Sequence, residues 1–221
     1  QLGAKTSNQV IIFDQLMDSN ALFLTANTDT VYAIVNLNLK EDGPTIVEIP
    51  PKCGPGTVND AFFRFVTDMG APGPDRGAGG KYLILPPDHK GALDPPEGGM
   101  EVEIAVGGKK EKVYVSKSKS YVNWLILRGF LVDGKPDAAT AMFKSGLKVY
   151  PLAKAATPPA MEFINGSTKE WNTIHANTYE FYKELHDVIE REPVDFVEPQ
   201  LLGMAAAIGI QKGKPFNPDE R

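Results

Sequence analysis

A chain of 221 residues with 42% hydrophobic and 23% charged content can bury a core and fits one large domain or two small ones, which excludes disorder as its overall state. A formal net charge of -5 with scattered basic residues excludes nucleic acid as the main partner, because phosphate binding needs a concentrated basic surface. The single cysteine, Cys53, excludes an internal disulfide and a multi-cysteine metal site, and no apolar run reaches the roughly 20 residues of a membrane-spanning helix.

Between residues 8 and 20, Val10, Ile11, Phe13, Leu16 and Met17 are spaced more like a helix than a strand, and predict a short buried helix or an extended arm. Residues 25–32 then set a carboxylate, an amide, three hydroxyls and a phenol directly against a strand, the kind of junction where sites are built. Val31, Ala33, Val35, Leu37 and Leu39 alternate with Tyr32, Ile34, Asn36 and Asn38, so one face of that strand is apolar and half of the other is too. A turn at Glu41-Asp42-Gly43-Pro44 and a returning strand over residues 45–49 predict a hairpin.

Residues 62–66 read as an aromatic strand with Arg64 on the face of Phe62 and Val66, where it needs a partner. The glycine-rich residues 70–80 lack the G-K-[ST] ending and the following helix of a phosphate loop, and are expected to form a flexible surface loop over a site. Strands follow at residues 81–85, 101–106 and 112–116, the last two hinged on Gly107-Gly108, and the lysines beside them are solvated hairpin residues. The run VNWLILRGFLV over residues 122–132 predicts a central strand covered on both faces, leaving Arg128 to find a carboxylate or a ligand.

Asp137 is placed to cap a two-turn helix that Gly146 stops, and residues 161–164 read as a short edge strand. The clearest helix is residues 178–192, with Tyr179, Tyr182, Leu185, Val188 and Ile189 on one stripe and Pro193 at its end. A small-residue helix follows over residues 201–208, and the tail from Lys212 to Arg221 reads as a linker. The start at Gln1, without methionine, is that expected of a processed or truncated chain.

No G-x-S-x-G elbow and no histidine cluster for a metal is present. Of the three histidines, His186 sits on a helix flank and His89 in an exposed turn, whereas His175 lies among Asn172 and Asn177 at the approach to a helix, where an anion is favoured. Asp29 is either a turn-closing Asx residue or a ligand contact, and Arg64 and Arg128 either complete ion pairs within the sheet or hold a ligand. Cys53, in a proline-rich turn without a nearby histidine, is not a nucleophile.

The run Ala26-Asn27-Thr28-Asp29-Thr30-Val31-Tyr32 resembles the P-N-x-D-T-[LV]-Y motif of the bacterial family named domain of unknown function 1254. Gly43-Pro44-Thr45-Ile46-Val47-Glu48-Ile49-Pro50, Gly80-Lys81-Tyr82-Leu83, Trp124 and residues 127–134 also look like that family, as do Ala207-Ile208-Gly209-Ile210 and Gly213-Lys214-Pro215-Phe216. Ala26 stands where the motif has proline, with Asn27, Asp29 and Tyr32 in place. The resemblance implies a β-rich protein, a periplasmic or secreted setting, and a second module, domain of unknown function 1214, beyond Arg221.

The expected fold is mainly β, a sandwich or barrel-like domain over residues 1–134, then a mainly helical linker segment over residues 135–221, α+β overall. The expected function is binding of, or catalysis on, an anionic or polyhydroxyl small molecule. Asn27, Tyr32, Arg64 and Arg128 are its ligand-binding candidates, Asp29 and His175 its catalytic ones, and no cofactor or metal is named. The alternative is a non-catalytic envelope or assembly protein, a homo-oligomer whose polar cluster is structural.

Overall fold

The frame comes from strands whose side chains alternate between two faces. A computed structural model describes residues 2–23 and 26–218. In chain order its elements are β1 (Gln9–Ile12), β2 (Ala21–Leu22), β3 (Thr30–Asn38), α1 (Leu39–Asp42), β4 (Thr45–Ile49), β5 (Gly56–Asp60), β6 (Phe65–Met69), β7 (Gly80–Leu85), β8 (Met100–Val106) and β9 (Lys109–Lys117). They continue with β10 (Val122–Phe130), α2 (Asp137–Gly146), β11 (Lys148–Pro151), β12 (Glu162–Asn165), β13 (Trp171–Asn172), α3 (Glu180–Arg191) and α4 (Pro199–Ala207).

Two sheets form a sandwich that does not close into a barrel: β12-β1-β3-β10-β5-β6 and β11-β4-β7-β9-β8. Between them Val31, Ala33, Val35 and Leu37 of β3 and Leu125 and Leu127 of β10 pack with Val47, Tyr82 and Ile84 of the facing sheet and with Phe143 of α2. The even-numbered side chains Tyr32, Ile34 and Ile126 point to the outer face, under Phe23, Trp124 and Trp171. The fold is therefore mainly β with C-terminal helices, α+β overall, and no described helix is long and apolar enough to cross a membrane.

β10 is central as its apolar run demands, pairing with β3 from Val122 opposite Asn38 to Phe130 opposite Thr30 and with β5 on its other side. The hinge at Gly107-Gly108 joins β8 to β9, both glycines at positive φ (59° and 83°), as a two-residue hairpin turn matched to strand twist requires.

Several expectations are corrected. Of the two readings of residues 8–20 the helix fails and the extended one holds over residues 9–12, a strand buried between β12 and β3; a four-residue apolar run has too few turns for its period to decide. β3 and β4 are not a hairpin: the single turn α1 and Gly43 (φ 66°) carry the chain from one sheet to the other. The aromatic strand begins at Phe65, because Phe62 and Phe63 belong to the turn before it. Asp137 is the first residue of α2 and makes no side-chain cap bond.

The glycine-rich residues 70–80 are held rather than flexible. Buried Asp75 accepts hydrogen bonds from the Gly70 N–H (2.8 Å), the Gly77 N–H (3.1 Å), the Gly79 N–H (3.2 Å) and the Tyr82 hydroxyl. Gly70, Gly77 and Gly79 all have positive φ, which lets their amides converge on one carboxylate.

The chain after Gly134 is not wholly helical, since β11 extends one sheet and β12, the expected edge strand, extends the other. α3 and α4 share a small cluster of Ile189, Phe196, Val197, Ala205 and Ile210. The upper part of the expected stripe, Tyr179 and Tyr182, is exposed. The tail folds back on α3 through the Phe216 ring on His186, with Asp219, Glu220 and Arg221 outside the described residues.

Candidate functional site

Asn27 organises the polar junction before β3. Its Oδ1 accepts from the Asp29 N–H (2.9 Å), the Thr30 N–H (3.0 Å) and the Thr30 hydroxyl (3.0 Å), while its own N–H donates to the Tyr32 hydroxyl (2.8 Å). This is the Asx pattern by which a short amide replaces a missing backbone partner at a turn. Asp29 is exposed, and among the described residues it takes part in this junction through its backbone N–H. Register places Arg128 opposite Tyr32, and its guanidinium lies 5.9 Å from the centre of that ring. No carboxylate partners Arg128 among the described residues. Asn27, Asp29, Tyr32 and Arg128 are thus brought together at one end of β10; Thr25 lies outside the described residues.

Arg64 and His175 are not brought to them. Arg64 follows Asp60, which stands opposite Asn123, five residues along β10 from Arg128 and so roughly 17 Å away at strand rise. His175 is exposed, its ring against Phe181 and its Nδ1 2.8 Å from the Ala176 carbonyl oxygen.

The Arg64 end is built with more care. Asp60 accepts from the N–H groups of Phe62 (2.9 Å) and Arg64 (2.8 Å) and from Arg64 Nε (2.8 Å), and Ser120 Oγ accepts from the Ala61 N–H. These bonds hold Phe63 at φ 61°, a conformation that a bulky residue avoids, with 67% of its surface exposed. The Asp60 side chain is 2% exposed, yet that of Arg64 remains 26% exposed. Besides Asp60, Arg64 donates to the Phe196 carbonyl, which fastens the helical segment to the sandwich.

Arg64 lies in a groove of about 900 Å³, within the range of small-molecule sites. Its other walls are the end of β9 with Lys117 and Lys119, the loop at Glu97, and the segment at Asp195 and Glu198. None of these five was a sequence candidate, and neither was Asp60. The one available signal was Asp60 and Arg64 four residues apart around two phenylalanines.

Two further buried groups are explained by structure. Glu192 is 1% exposed and accepts from the N–H groups of Tyr121 and Val122 (3.0 Å); burial raises its pKa above the ordinary carboxylate value, and those two bonds oppose the shift. Burial, and then the charge of Asp75, push the Cys53 thiol up to about 12, so it is not a thiolate at neutral pH. Among the described residues no group of three or more His, Cys, Asp and Glu side chains could hold a metal ion.

Among solved structures the chain resembles the crystal structure of the VPA0106 protein from Vibrio parahaemolyticus, at 14% identity and a TM-score of 0.57. The likeness covers 86% of this chain and 43% of that one, so this chain spans less than half of that protein, and the fold is what they share. Among curated proteins there is no match. A family model described as "Protein of unknown function (DUF1254)" matches residues 7–151, from the start of β1 to the end of β11 and the greater part of the chain. The motif at Asn27, Asp29 and Tyr32 thus lies inside a match that takes in strands of both sheets, and the protein belongs to the DUF1254 family.

Proposed function

We propose that this protein binds a small polar molecule through an anionic group, in the groove anchored by Arg64. The observation that carries the reading is the state of that arginine: buried Asp60 and the Phe196 carbonyl fix its orientation, while a quarter of its side chain stays open to the groove. A guanidinium held in place loses little freedom when it meets a carboxylate or phosphate, and its fork suits both. Lys119, exposed and without an ion pair among the described residues, adds a second positive charge. In this reading the junction at Asn27, Asp29, Tyr32 and Arg128 fixes the start of β3 and is not the ligand contact.

Thermal unfolding with inorganic phosphate and gluconate as probes tests it. Saturation at a hundredfold excess over Kd stabilises by about 2.7 kcal/mol, a rise of about 5 to 11 °C for a chain of this size. Lys119→Glu is expected to abolish the rise. Arg64→Lys, which keeps the charge beside Asp60 but loses the fork, is expected to weaken it. No rise with either probe, or an equal rise in Lys119→Glu, sinks the reading.

A second reading, a non-catalytic assembly or envelope protein, is favoured by the exposed rings of Phe62, Phe63 and Phe65 beside the groove. It requires a homo-oligomer in sedimentation, dispersed by Phe63→Ser. A periplasmic or secreted location is part of both readings and rests on the family resemblance; fractionation of cells that make the natural protein checks it.

A further inference from the structure

We infer that the groove takes a zwitterionic amphiphile with one hydrocarbon tail, its head beside Arg64 and its tail in the cleft between α3 and α4. The inference rests on the reading of the groove as the binding site and names the ligand class for it.

Apart from buried Asp60, which already pairs with Arg64, the charges of the groove are sorted by wall. Arg64, Lys117 and Lys119 come from the sandwich, and among the described residues Lys117 pairs with Asp94, at 3.5 Å. Glu97, Asp195 and Glu198 are exposed on the facing segments, and Glu198 makes no cap bond to α4 although it occupies the cap position. A purely anionic head meets the three acids and a purely cationic head meets the three cations. A head with both charges has a partner for each.

The groove has an apolar neighbour at its helical side. Val194 and Leu202 line both it and a second cleft of about 270 Å³, whose walls continue with Ile189, Phe196, Ala206 and Ile210. The one charged group there, Lys212, has its ammonium engaged by the carbonyls of Ile189, Glu190 and Glu192 at the end of α3. A charged groove that adjoins an apolar cleft at two shared side chains matches a molecule with a charged head and an apolar tail.

Calorimetric titration of the intact chain with octyl-, decyl- and dodecylphosphocholine, each below its micelle-forming concentration, tests this against free phosphocholine. The expected affinity gain is roughly fourfold per added methylene until the cleft is full. Alkyl sulfates and alkyltrimethylammonium ions of equal length are expected to bind at least tenfold more weakly. Ala206→Trp, which fills the cleft, is expected to remove the dependence on tail length, and Lys119→Glu to weaken every phosphocholine. Affinity that does not change with tail length overturns the amphiphile assignment, and it leaves the groove reading standing if phosphate still stabilises the wild type and not Lys119→Glu. Tail-dependent binding that Lys119→Glu does not weaken overturns the placement of the head.

Discussion

Replacing Asp75 with asparagine tests whether the glycine-rich loop is a fixed part of the fold or a lid. In the wild type Asp75 Oδ1 accepts from the Gly70 N–H and the Tyr82 hydroxyl, and Oδ2 accepts from the Gly77 and Gly79 N–H groups. Asparagine keeps the shape but turns one oxygen into an NH2 group: placed at Oδ1 it leaves the Gly70 N–H without an acceptor while the Tyr82 hydroxyl can turn to accept, and placed at Oδ2 it leaves the Gly79 N–H without one while the Gly77 N–H keeps the Gly70 carbonyl. A hydrogen bond to a charged acceptor contributes about 1.5–3 kcal/mol, and one is lost outright in either orientation. That is a large share of the roughly 5–15 kcal/mol that holds a domain together. The corresponding fall in melting temperature is about 3 to 12 °C for a chain of this length. Urea unfolding followed by the fluorescence of Trp124 and Trp171 measures the loss as a lower midpoint at unchanged slope. Hydrogen exchange adds a local readout, since the amides of Gly70, Gly77 and Gly79 are expected to be protected in the wild type and fast in Asp75→Asn. A loss below about 1 kcal/mol, or fast exchange of those three amides in the wild type, refutes the reasoning and restores the lid.

Asn27→Ala removes the acceptor of three hydrogen bonds and is expected to cost about 1–2 kcal/mol, whereas Asp29→Ala, two residues on, stays within about 0.5 kcal/mol; thermal unfolding of the two variants side by side reverses the assignment if Asp29 proves the costlier. Glu192 gives a pH test: its folded pKa is raised by burial, so the folded state binds its proton more tightly than the unfolded state, and the stability this contributes below the ordinary glutamate value of about 4.3 is lost as pH rises through the folded value. Relative to Glu192→Gln, the wild type is therefore expected to gain stability as pH falls from 7 toward that value, and urea midpoints that converge or cross the other way contradict it.

What the sequence made legible was whatever depends on neighbours along the chain. β3 and β10 declare themselves by alternation and by an unbroken apolar run, and the β8–β9 hinge by two adjacent glycines. β5 was not legible because Gly-Thr-Val-Asn-Asp has one large apolar residue and no period; only its place between β10 and β6 makes it a strand. Missing β5 meant missing Asp60, and with it the partner that Arg64 needed. The groove was out of reach for a related reason, since its walls come from segments near residues 60–65, 97, 116–119 and 194–202. The Asp29 and Asn27 candidates were visible as a pair, but the direction of each side chain, one inward to three donors and one outward, is set by the turn and not by residue type.

The family motif and the groove are connected through strand register, although they lie at opposite ends of the sheet. Asn27 and Tyr32 fix where β3 begins; β3 sets Tyr32 opposite Arg128 and Leu37 opposite Asn123; β10 in turn sets Asn123 opposite Asp60, which aims Arg64. A slip of one residue anywhere in this series would turn Trp124 and Arg128 into the core and move Asp60 off the turn it holds. Such a slip is a discrete event, resisted by Leu125 and Leu127 on the inner face, so a weakened junction lowers stability before it alters the geometry around Arg64. Loss of binding after a substitution in the motif therefore implicates the motif in ligand contact only where the melting temperature is unchanged. A direct contact at Arg128 would lower affinity at constant stability, and a register effect would lower both together.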